Sequence, residues 1–226
     1  MRVLVFSAHP DDLDYGCSGT VAKWTKEGRE VHYCILTDGS KGKFDKISDN
    51  KIVKIREKEQ TNAAKVVGAK NVIFLREKDG ELENTKELRK KLVKVIRRIK
   101  PDIILSPDPS NRSFDNFYRF HRDHRVAGEA VFDALYPAAG SPAFFPELTK
   151  QYPPHRINES WFYATDKPNV FVDISGMINK KLEALKQHKS QIIDFKEIEQ
   201  RIKSWGRKFG ERAKVKYAEG FRKVGL

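Results

Sequence analysis

Histidine and aspartate side chains are concentrated in one short stretch near the start of the chain. Residues 8–12 read Ala-His-Pro-Asp-Asp and directly follow an apolar segment, so His9, Asp11 and Asp12 stand together with no cationic residue among them. Neighbouring carboxylates repel each other, and a bound metal ion is a common way to stabilise such a cluster. The simpler alternative, in which one aspartate only caps the next helix, leaves the histidine without a role. The stretch therefore predicts a metal site.

A second group, His121-Arg122-Asp123-His124, lies much further along the chain. It closes an irregular stretch and opens a helical one, where histidines three positions apart face the same side of the first turn. Alone, these histidines are equally compatible with a polar surface loop. Together with His9 and Asp12, the group completes a set of metal-ligand residue types on two loops. Two histidines and one carboxylate leave coordination positions open, as catalytic zinc sites do.

The elements that must position these groups alternate between strand and helix in the first half of the chain. Apolar runs rich in β-forming residues occupy 2–7, 30–36, 71–75 and 102–106, with helical patterns at 17–27, 50–67 and 84–99. This alternation predicts a Rossmann-like α/β fold, whose mostly parallel sheet carries helices on both faces. Ligands of such sheets bind at the carboxyl ends of the strands, and the His-Pro-Asp-Asp stretch follows the first strand.

The second half of the chain is less regular. Residues 107–120 and 136–157 are rich in proline and aromatic residues, which predicts functional loops. Beyond them the sequence predicts two late strands, Trp-Phe-Tyr-Ala-Thr and Asn-Val-Phe-Val-Asp-Ile, then a helix over 175–191 and a basic helical tail to Leu226. The chain shows no internal repeat and no linker composition, so we expect one domain spanning residues 1–226.

The charge of the chain narrows the class of partner. Lys and Arg number 44 against 31 Asp and Glu, a net charge of +13 that is compatible with nucleic-acid binding. The basic residues are interspersed with glutamates along helical stretches, however, which is typical of solvated surfaces and argues against a nucleic-acid partner. No apolar run is long enough to cross a membrane, and the first residues lack the pattern of a signal peptide. We therefore expect a cytoplasmic protein without a membrane partner.

The two chemistry-bearing groups resemble the paired motifs of the LmbE-like (PIG-L) family of zinc-dependent de-N-acetylases. The resemblance extends over nearly the whole chain through Gly16-x-x-Gly19-Thr20, Arg56-Glu57-x-Glu59, Asp79-Gly80-Glu81, Val172-Asp173-Ile174, His188-x-Ser190-Gln191 and Ala218-Glu219-Gly220-Phe221. It is greatest for the branch that reads His-Pro-Asp-Asp-x-Glu, which includes the bacillithiol-pathway and diacetylchitobiose deacetylases. At that last position this chain carries Asp14, a shorter acid.

The resemblance implies a role for each residue of the two groups. It identifies His9, Asp12 and His124 as ligands of one zinc ion per chain, although sites of this kind also accept other divalent metals. It identifies Asp11 as the general base that moves the proton of the attacking water. It implies that a protonated His121, oriented by Asp123, stabilises the developing oxyanion.

The resemblance also implies a substrate class and an assembly. The expected reaction hydrolyses the acetamide of an N-acetylglucosamine-type sugar and releases acetate and the free amine; a different glycoside conjugate is the alternative. Arg56 matches an arginine linked to substrate hydroxyls, an interpretation that we favour over a solvated helix charge. Asp108 is expected either to line the pocket or to cap its loop. His188 is either a pocket residue or a packed histidine. The relatives further imply a homo-oligomer, specifically a hexamer.

Three other classes share parts of this pattern. Iron oxygenases use two histidines and a carboxylate, but we expect such a site in a β-barrel, whose alternating strands are absent from this sequence. A dinucleotide-binding protein is compatible with Gly16-x-x-Gly19, yet Asp11 and Asp12 would repel a pyrophosphate in the same loop. A nucleic-acid-binding module is the third alternative. It predicts an affinity for DNA or RNA that depends steeply on salt and does not change when metal is removed by a chelator.

Overall fold

The structure is a computed structural model that describes residues 1–42, 46–111 and 121–225. The described residues form strands β1 (Arg2–Ser7), β2 (Glu30–Thr37), β3 (Asn71–Glu77), β4 (Ile103–Pro107), β5 (Glu159–Tyr163), β6 (Val170–Asp173) and β7 (Ala218–Gly225). They form helices α1 (Asp12–Gly16), α2 (Ser18–Lys26), α3 (Asp49–Val66), α4 (Lys86–Ile99), α5 (Arg122–Asp133), α6 (Pro146–Thr149), α7 (Ile178–Leu185) and α8 (Phe195–Ala213). Within these three ranges, none of the helices has the length and apolar character needed to cross a bilayer.

The strands join one sheet in the order β3-β2-β1-β4-β5-β7-β6. The first five run parallel, with Val3 of β1 beside Val31 of β2 on one side and Ile103 of β4 on the other. Strand β7 runs antiparallel to both of its neighbours, β5 and β6. The expected Rossmann-like α/β class with a mostly parallel sheet is therefore confirmed.

The central strand β1 is apolar throughout because it contributes to two cores. Val3 and Val5 pack in one cluster with residues of α2 and α3, whereas Leu4 and Phe6 pack in the opposite cluster with residues of α4 and α5. Successive side chains of a strand point to opposite faces, so a strand covered on both sides has no polar face to present. The helices on both faces hold the carboxyl end of β1 firmly in place.

The carboxyl-terminal tail differs from the expected basic helix. Helix α8 occupies Phe195–Ala213, but Ala218–Gly225 form β7. The first four residues of β7 are buried although the strand also carries Arg222 and Lys223. Because β7 lies between β5 and β6, its backbone groups pair on both sides, and this tertiary pairing outweighs the local charge pattern that favoured a helix.

Two segments that are distant in the sequence meet at the start of α2. Glu219 of β7 accepts the N–H groups of Gly19 (3.1 Å) and Thr20 (2.7 Å), and it forms a buried 2.6 Å ion pair with Lys181 of α7. A Cβ atom on Gly19 would lie 2.9 Å from Ile174 and 3.0 Å from the Glu219 carboxylate, so a larger residue there would displace these side chains. These residues hold α2, α7 and β7 together and support the sheet behind the site.

Strand β1 lies where the strand order reverses. The chain runs from β1 outward through β2 to β3, and then returns to β4 on the other side of β1. Residues 8–12 leave the carboxyl end of β1, and residues 121–124 follow the connection from the carboxyl end of β4. In open α/β sheets, ligands bind in the crevice at such a reversal. Both predicted groups therefore meet at this crevice.

Candidate active site

Asp11 and Asp12 follow β1 in a turn that separates their side chains. Asp11 has a positive φ of 90°, which is rare for residues other than glycine. Its side chain makes no capping hydrogen bond to the described residues of α1, so the helix-cap alternative does not apply to it. Asp12 begins α1, and its carboxylate turns back to accept the N–H of His9 at 2.8 Å. The turn therefore gives the two aspartates different partners.

His121 and His124 lie at the start of α5. The Nδ1 atom of His121 accepts the N–H of Asp123 at 3.2 Å, which makes His121 the N-cap of the helix. The next turn carries His124 toward β1, where its Nε2 atom lies 3.0 Å from Asp12 Oδ1. The predicted helical start at this position thus places both imidazoles against the loop that follows β1.

Three side-chain groups converge on one point. His9 Nδ1 lies 3.2 Å from His124 Nε2 and 3.4 Å from Asp12 Oδ2, and His124 Nε2 lies 3.0 Å from Asp12 Oδ1. Ligand atoms that share one tetrahedral zinc at about 2.0–2.2 Å lie about 3.3–3.6 Å apart. The observed separations are within a few tenths of an ångström of this range. The donor set therefore fits one divalent metal ion with little adjustment.

The second nitrogen of His9 faces two buried carboxylates. His9 Nε2 lies 3.0 Å from Asp79 Oδ1 and 3.2 Å from Asp123 Oδ2. Histidine ligands of metals usually donate their other N–H to a carboxylate, which fixes the tautomer and the orientation of the ring. The two carboxylates favour a proton on Nε2, so Nδ1 is the His9 nitrogen that faces Asp12 and His124.

The position of Asp123 differs from the expectation that it orients His121. Its carboxylate contacts His9 and accepts the N–H groups of Gly80 (2.7 Å) and Leu82 (3.3 Å), whereas it meets His121 through its own backbone N–H. The helix geometry explains the difference, because the N-cap residue lies outside the first turn while Asp123 points inward beneath it. The Asp123 carboxylate therefore orients His9 rather than His121.

Two groupings of ligand-type atoms share His9 among the described residues. One combines His9 with His121 and His124, and the other combines it with Asp79 and Asp123. The second grouping surrounds Nε2, where the carboxylates also accept backbone N–H groups from Lys41 and Gly80. Such carboxylates are suited to holding His9 in place, whereas the Asp12 carboxylate lies on the Nδ1 side of His9, beside His124.

Charges in the site favour an ionised Asp12. Burial alone would raise the pKa of Asp12, but His124 and His9 hold it well below its usual range. Burial likewise would lower the pKa of His9, yet Asp12, Asp123 and Asp79 raise it well above its usual range. Burial also opposes ionisation of Asp79 and Asp123, but their hydrogen bonds from His9 keep both pKa values low. Asp12 is therefore an anionic carboxylate, the form that metal ions bind.

Asp11 shares its surroundings with a buried arginine. Arg56 of α3 is 4% exposed, so it is not a solvated helix charge. Its guanidinium donates to the carbonyls of Gly39 and Pro10, both at 2.8 Å, and lies 3.3 Å from Asp11 Oδ2. Burial of Asp11 raises the pKa of its carboxyl group; Arg56 opposes this shift and Asp12 adds to it. A raised pKa brings a carboxylate closer to the range in which it exchanges protons efficiently.

His121 stands at the open side of the same group. Its ring centroid lies 4.6 Å from that of His9 and 5.2 Å from that of His124. Partial burial, together with these two imidazoles, lowers the pKa of His121 below its usual value. The environment thus favours a neutral His121 over the protonated form expected from the sequence. A neutral imidazole still carries one N–H that can donate a hydrogen bond.

Asp108 and His188 each follow the structural one of the two alternatives expected for them. The Asp108 carboxylate accepts the N–H and hydroxyl of Ser110, both at 2.8 Å, and the hydroxyl of Thr165 at 2.5 Å. Through these contacts Asp108 caps its own loop, as one of the two alternatives expected, and its carboxylate is engaged by neighbouring residues. His188 is a packed histidine, since its Nε2 atom lies 2.8 Å from the buried Asp14 carboxylate. The aromatic loop residues Phe114, Phe117, Tyr118 and Phe120, which are candidates for stacking on a sugar, lie outside the described residues.

Two residues of the site were not assigned from the sequence. In the sequence, Asp79 belongs to one of the segments that resemble the family, without a role of its own. It lies two residues after the end of β3, at the same edge of the sheet as His9. Gln60 was not noted, yet it lies one helical turn after Arg56 on the buried side of α3 and accepts the N–H of Asp11 at 2.8 Å. The useful signals were the strand-end position of Asp79 and the four-residue spacing of Gln60 from Arg56.

Comparisons with known proteins point to one family. The family model described as PIG-L, GlcNAc-PI de-N-acetylase, matches residues 4–135. The diacetylchitobiose deacetylase of Thermococcus kodakarensis is 39% identical over 227 residues, which cover 99% of this chain and 83% of that protein. A probable N-acetyl-alpha-D-glucosaminyl L-malate deacetylase 2 of Bacillus anthracis is 30% identical over 198 residues, or 84% of this chain and 81% of that protein.

A solved structure shares the whole architecture. The N,N'-diacetylchitobiose deacetylase from Pyrococcus horikoshii, determined with its inhibitor MPG, has a TM-score of 0.92 to this chain at 32% sequence identity. The match covers 99% of this chain and 84% of that one. The likeness therefore includes the sheet, the helices on both faces and the late antiparallel strand.

Proposed function

The chain belongs to the PIG-L family of de-N-acetylases, and from this premise we propose that it is a metal-dependent hydrolase of N-acetylglucosamine-type sugars. The reaction cleaves the acetamide C–N bond with water and releases acetate and the free amine. The observation that carries the proposal is the convergence of His9 Nδ1, Asp12 and His124 Nε2, with the Asp11 carboxylate beside them.

The substrate class rests on the relatives. Proteins named for deacetylation of diacetylchitobiose and of N-acetylglucosaminyl malate are 39% and 30% identical to this chain over most of its length. Both names share an N-acetylglucosamine unit and differ in what is attached to it. We therefore propose that the site recognises this N-acetylglucosamine unit. The alternative is that the unit is joined to a different group, in another glycoside conjugate.

The proposed metal is zinc, one ion per chain, held by His9, Asp12 and His124. The donor set of two imidazole nitrogens and one carboxylate suits zinc and leaves coordination positions for substrate and water, although other divalent ions accept the same donors. When bound by these three residues, zinc would supply Lewis-acid chemistry, lowering the pKa of a water to about 7 and polarising the amide carbonyl. Asp79 and Asp123 orient His9 for this task.

Asp11 is the proposed general base. It accepts a proton from the attacking water and returns it to the amine nitrogen as the C–N bond breaks, so that the carboxylate is regenerated. Its raised pKa suits this exchange, and Arg56 restrains the carboxylate through the 3.3 Å contact. We also propose that Arg56 meets a substrate hydroxyl, because its position beside the base would place a sugar ring against the reacting centre.

His121 is the proposed oxyanion donor. Its exposed ring lies beside the metal-ligand histidines at the open side of the site, where the carbonyl oxygen of a bound acetamide gains negative charge. An N–H that is already aimed at this oxygen stabilises the charge without reorganising solvent. Asp123 acts on the other side of the site, through His9.

Metal analysis tests the ligand set. We expect His9→Ala, Asp12→Ala and His124→Ala each to abolish metal binding, because each removes one donor of three. Asp79→Asn keeps all three donors and is expected only to weaken affinity, by about 10–100-fold. Full metal retention by two of the three alanine variants would overturn the assignment.

An acetate-release assay tests the reaction and the substrate class. The chelated protein is assayed with N-acetylglucosamine, diacetylchitobiose and N-acetylglucosaminyl malate before and after zinc is restored. We expect acetate release that depends on zinc and that is greatest for one of these N-acetylglucosamine compounds. Absence of acetate from all of them in the zinc-loaded protein would contradict the proposal.

A further inference from the structure

A line of buried polar side chains leads from the carboxyl-terminal half of the chain to the backbone of Asp11. His188 Nε2 and Gln60 Nε2 both lie 2.8 Å from the same oxygen, Asp14 Oδ2. The other end of the Gln60 amide, Oε1, accepts the N–H of Asp11 at 2.8 Å. His188, Asp14 and Gln60 are each no more than 1% exposed.

The direction of every hydrogen bond in this line is determined by its end group. The backbone N–H of Asp11 can only donate, so Gln60 must present its carbonyl oxygen there and direct its NH₂ group to Asp14. Asp14 Oδ2 accepts from the Gln60 NH₂ group, and His188 presents an N–H at Nε2 to the same oxygen. The line therefore has a single orientation, and loss of His188 removes one of the two groups that hold the Asp14 carboxylate against Gln60.

Asp11 is a residue that needs such support. Its backbone has φ 90° and ψ −34°, a conformation that persists only where the surroundings enforce it. Arg56 contacts the carboxylate and the carbonyl of the preceding Pro10, but it does not contact the Asp11 amide. Gln60 holds that amide from the other side. The direction of the Asp11 carboxylate thus depends on two restraints, one on the side chain and one on the backbone.

The segment after α7 is fastened to α3 at the same place. The backbone N–H and hydroxyl of Ser190 donate to Glu59, at 2.8 and 2.7 Å, and Glu59 is the neighbour of Gln60. Gln191 Nε2 donates to the carbonyl of Gly42 at 2.6 Å. These contacts explain why His188, Ser190 and Gln191 occur together, because all of them fix this segment against the elements that carry the site.

We propose that His188, Asp14 and Gln60 form a positioning relay that holds the backbone of Asp11 and thereby aims its carboxylate at the reacting water. The proposal rests on the proposed role of Asp11 as general base. All three side chains are buried, so we assign them as positioning residues. The relay also gives a role to Asp14, which stands where the resembling branch carries the longer glutamate. The aspartate carboxylate reaches both Gln60 and His188 at 2.8 Å.

The central experiment compares His188→Gln with His32→Gln. His32 is a matched control: it is buried, and its ring contacts Asn71 (2.6 Å) and Glu30 (2.8 Å) at the opposite edge of the sheet. In His188→Gln we expect kcat to fall about 10–100-fold, the scale of a small misplacement of a reacting group, with KM and metal content unchanged. His32→Gln is expected to lower the melting temperature without lowering kcat.

Hydrogen exchange of the Asp11 amide, followed by NMR, gives a readout that needs no substrate. We expect this amide to exchange faster by roughly tenfold or more in His188→Gln, because its acceptor is no longer held, and to be unaffected in His32→Gln. Unchanged exchange in His188→Gln would overturn the relay. If no acetate is released by the wild type, the proposed function fails, whereas the exchange measurement still decides the relay.

A double variant separates positioning from general destabilisation. In an Asp11→Asn background the base is already absent, so adding His188→Gln is expected to cost no further turnover. The same fold-loss in both backgrounds would mean that His188 acts by another route and would overturn the proposal. Asp14→Asn, which preserves the size of the side chain, supplies the same comparison if His188→Gln does not fold.

Discussion

Asp11 and Asp12 are consecutive in the chain, yet their side chains have different surroundings. Asp12 is held by His9 and His124, which keep its pKa low and favour the anionic form that binds metals. Asp11 lies beside Arg56, and burial raises the pKa of its carboxyl group. The turn at Asp11, with its positive φ, is where the two carboxylates take different partners, Arg56 for Asp11 and the His9 N–H for Asp12.

Substitution of the two aspartates is expected to separate chemistry from metal binding. Asp11→Asn should keep the metal while kcat falls by about 10²–10⁴-fold, the usual contribution of a general base. Asp12→Asn should weaken metal binding, with activity partly restored by excess zinc. Metal content and acetate release measured on the same samples check both statements. A metal-loaded Asp11→Asn protein that works at near wild-type rate would show that another group is the base.

His121 offers a second test at this scale. We expect His121→Ala to retain the metal and to lower kcat by about 10²-fold or more, because the N–H that meets the developing oxyanion is removed. His155→Ala serves as the control, since its ring bonds the carbonyl of Pro101 at the other end of the sheet. The assignment fails if the two variants lower turnover equally.

At the scale of elements, buried charged side chains connect parts of the chain that are far apart in sequence. Glu219 and Lys181 join β7, α2 and α7 through an ion pair and two backbone hydrogen bonds. Arg97 of α4 is fully buried and donates to the carbonyls of four residues in the proline-rich stretch, namely Ala138, Ala139, Ser141 and Phe144. A buried charge is tolerated only when it is paired or hydrogen-bonded in this way.

The ion pair allows a stability prediction with a neighbour as its control. Lys181→Met leaves Glu219 buried without its cation, which is expected to lower the free energy of unfolding by about 3–5 kcal/mol. Lys180 is half exposed and pairs with Glu183 on the surface of the same helix, so Lys180→Met should cost about 0–1 kcal/mol. Urea denaturation of both variants checks the difference. Equal losses would contradict the structural role of the buried pair.

At the scale of the whole molecule, one side of the protein exposes several aromatic rings. Phe132, Tyr136 and Phe144 are 38%, 56% and 42% exposed and lie on or beside the stretch that Arg97 holds, whereas Phe145 is buried. An ordered segment with exposed aromatic side chains is typical of a surface that is covered by another protein. This supports the proposal, first drawn from family resemblance, that the chain forms a homo-oligomer.

The assembly prediction is specific. Light scattering at micromolar concentration is expected to give the mass of six chains, and Phe144→Asp to give a smaller species, because a charge would be buried at the interface. Ile193→Asp is the control, since Ile193 is highly exposed on the segment that precedes α8, outside this stretch. A wild-type protein with the mass of one chain would refute the proposal.

The sequence by itself determined the α/β class and the location of the chemistry, because both depend on local patterns. Apolar runs predict buried parallel strands, and His-Pro-Asp-Asp at the end of the first strand must lie at the edge of the sheet where ligands bind.

Only the tertiary structure decided which partners these residues have. Asp123 orients His9, Arg56 is buried against Asp11, and Asp108 caps its own loop. The tail forms a strand because two neighbouring strands offer it hydrogen bonds. Each of these outcomes depends on how separate elements dock, and spacing along one segment does not determine docking.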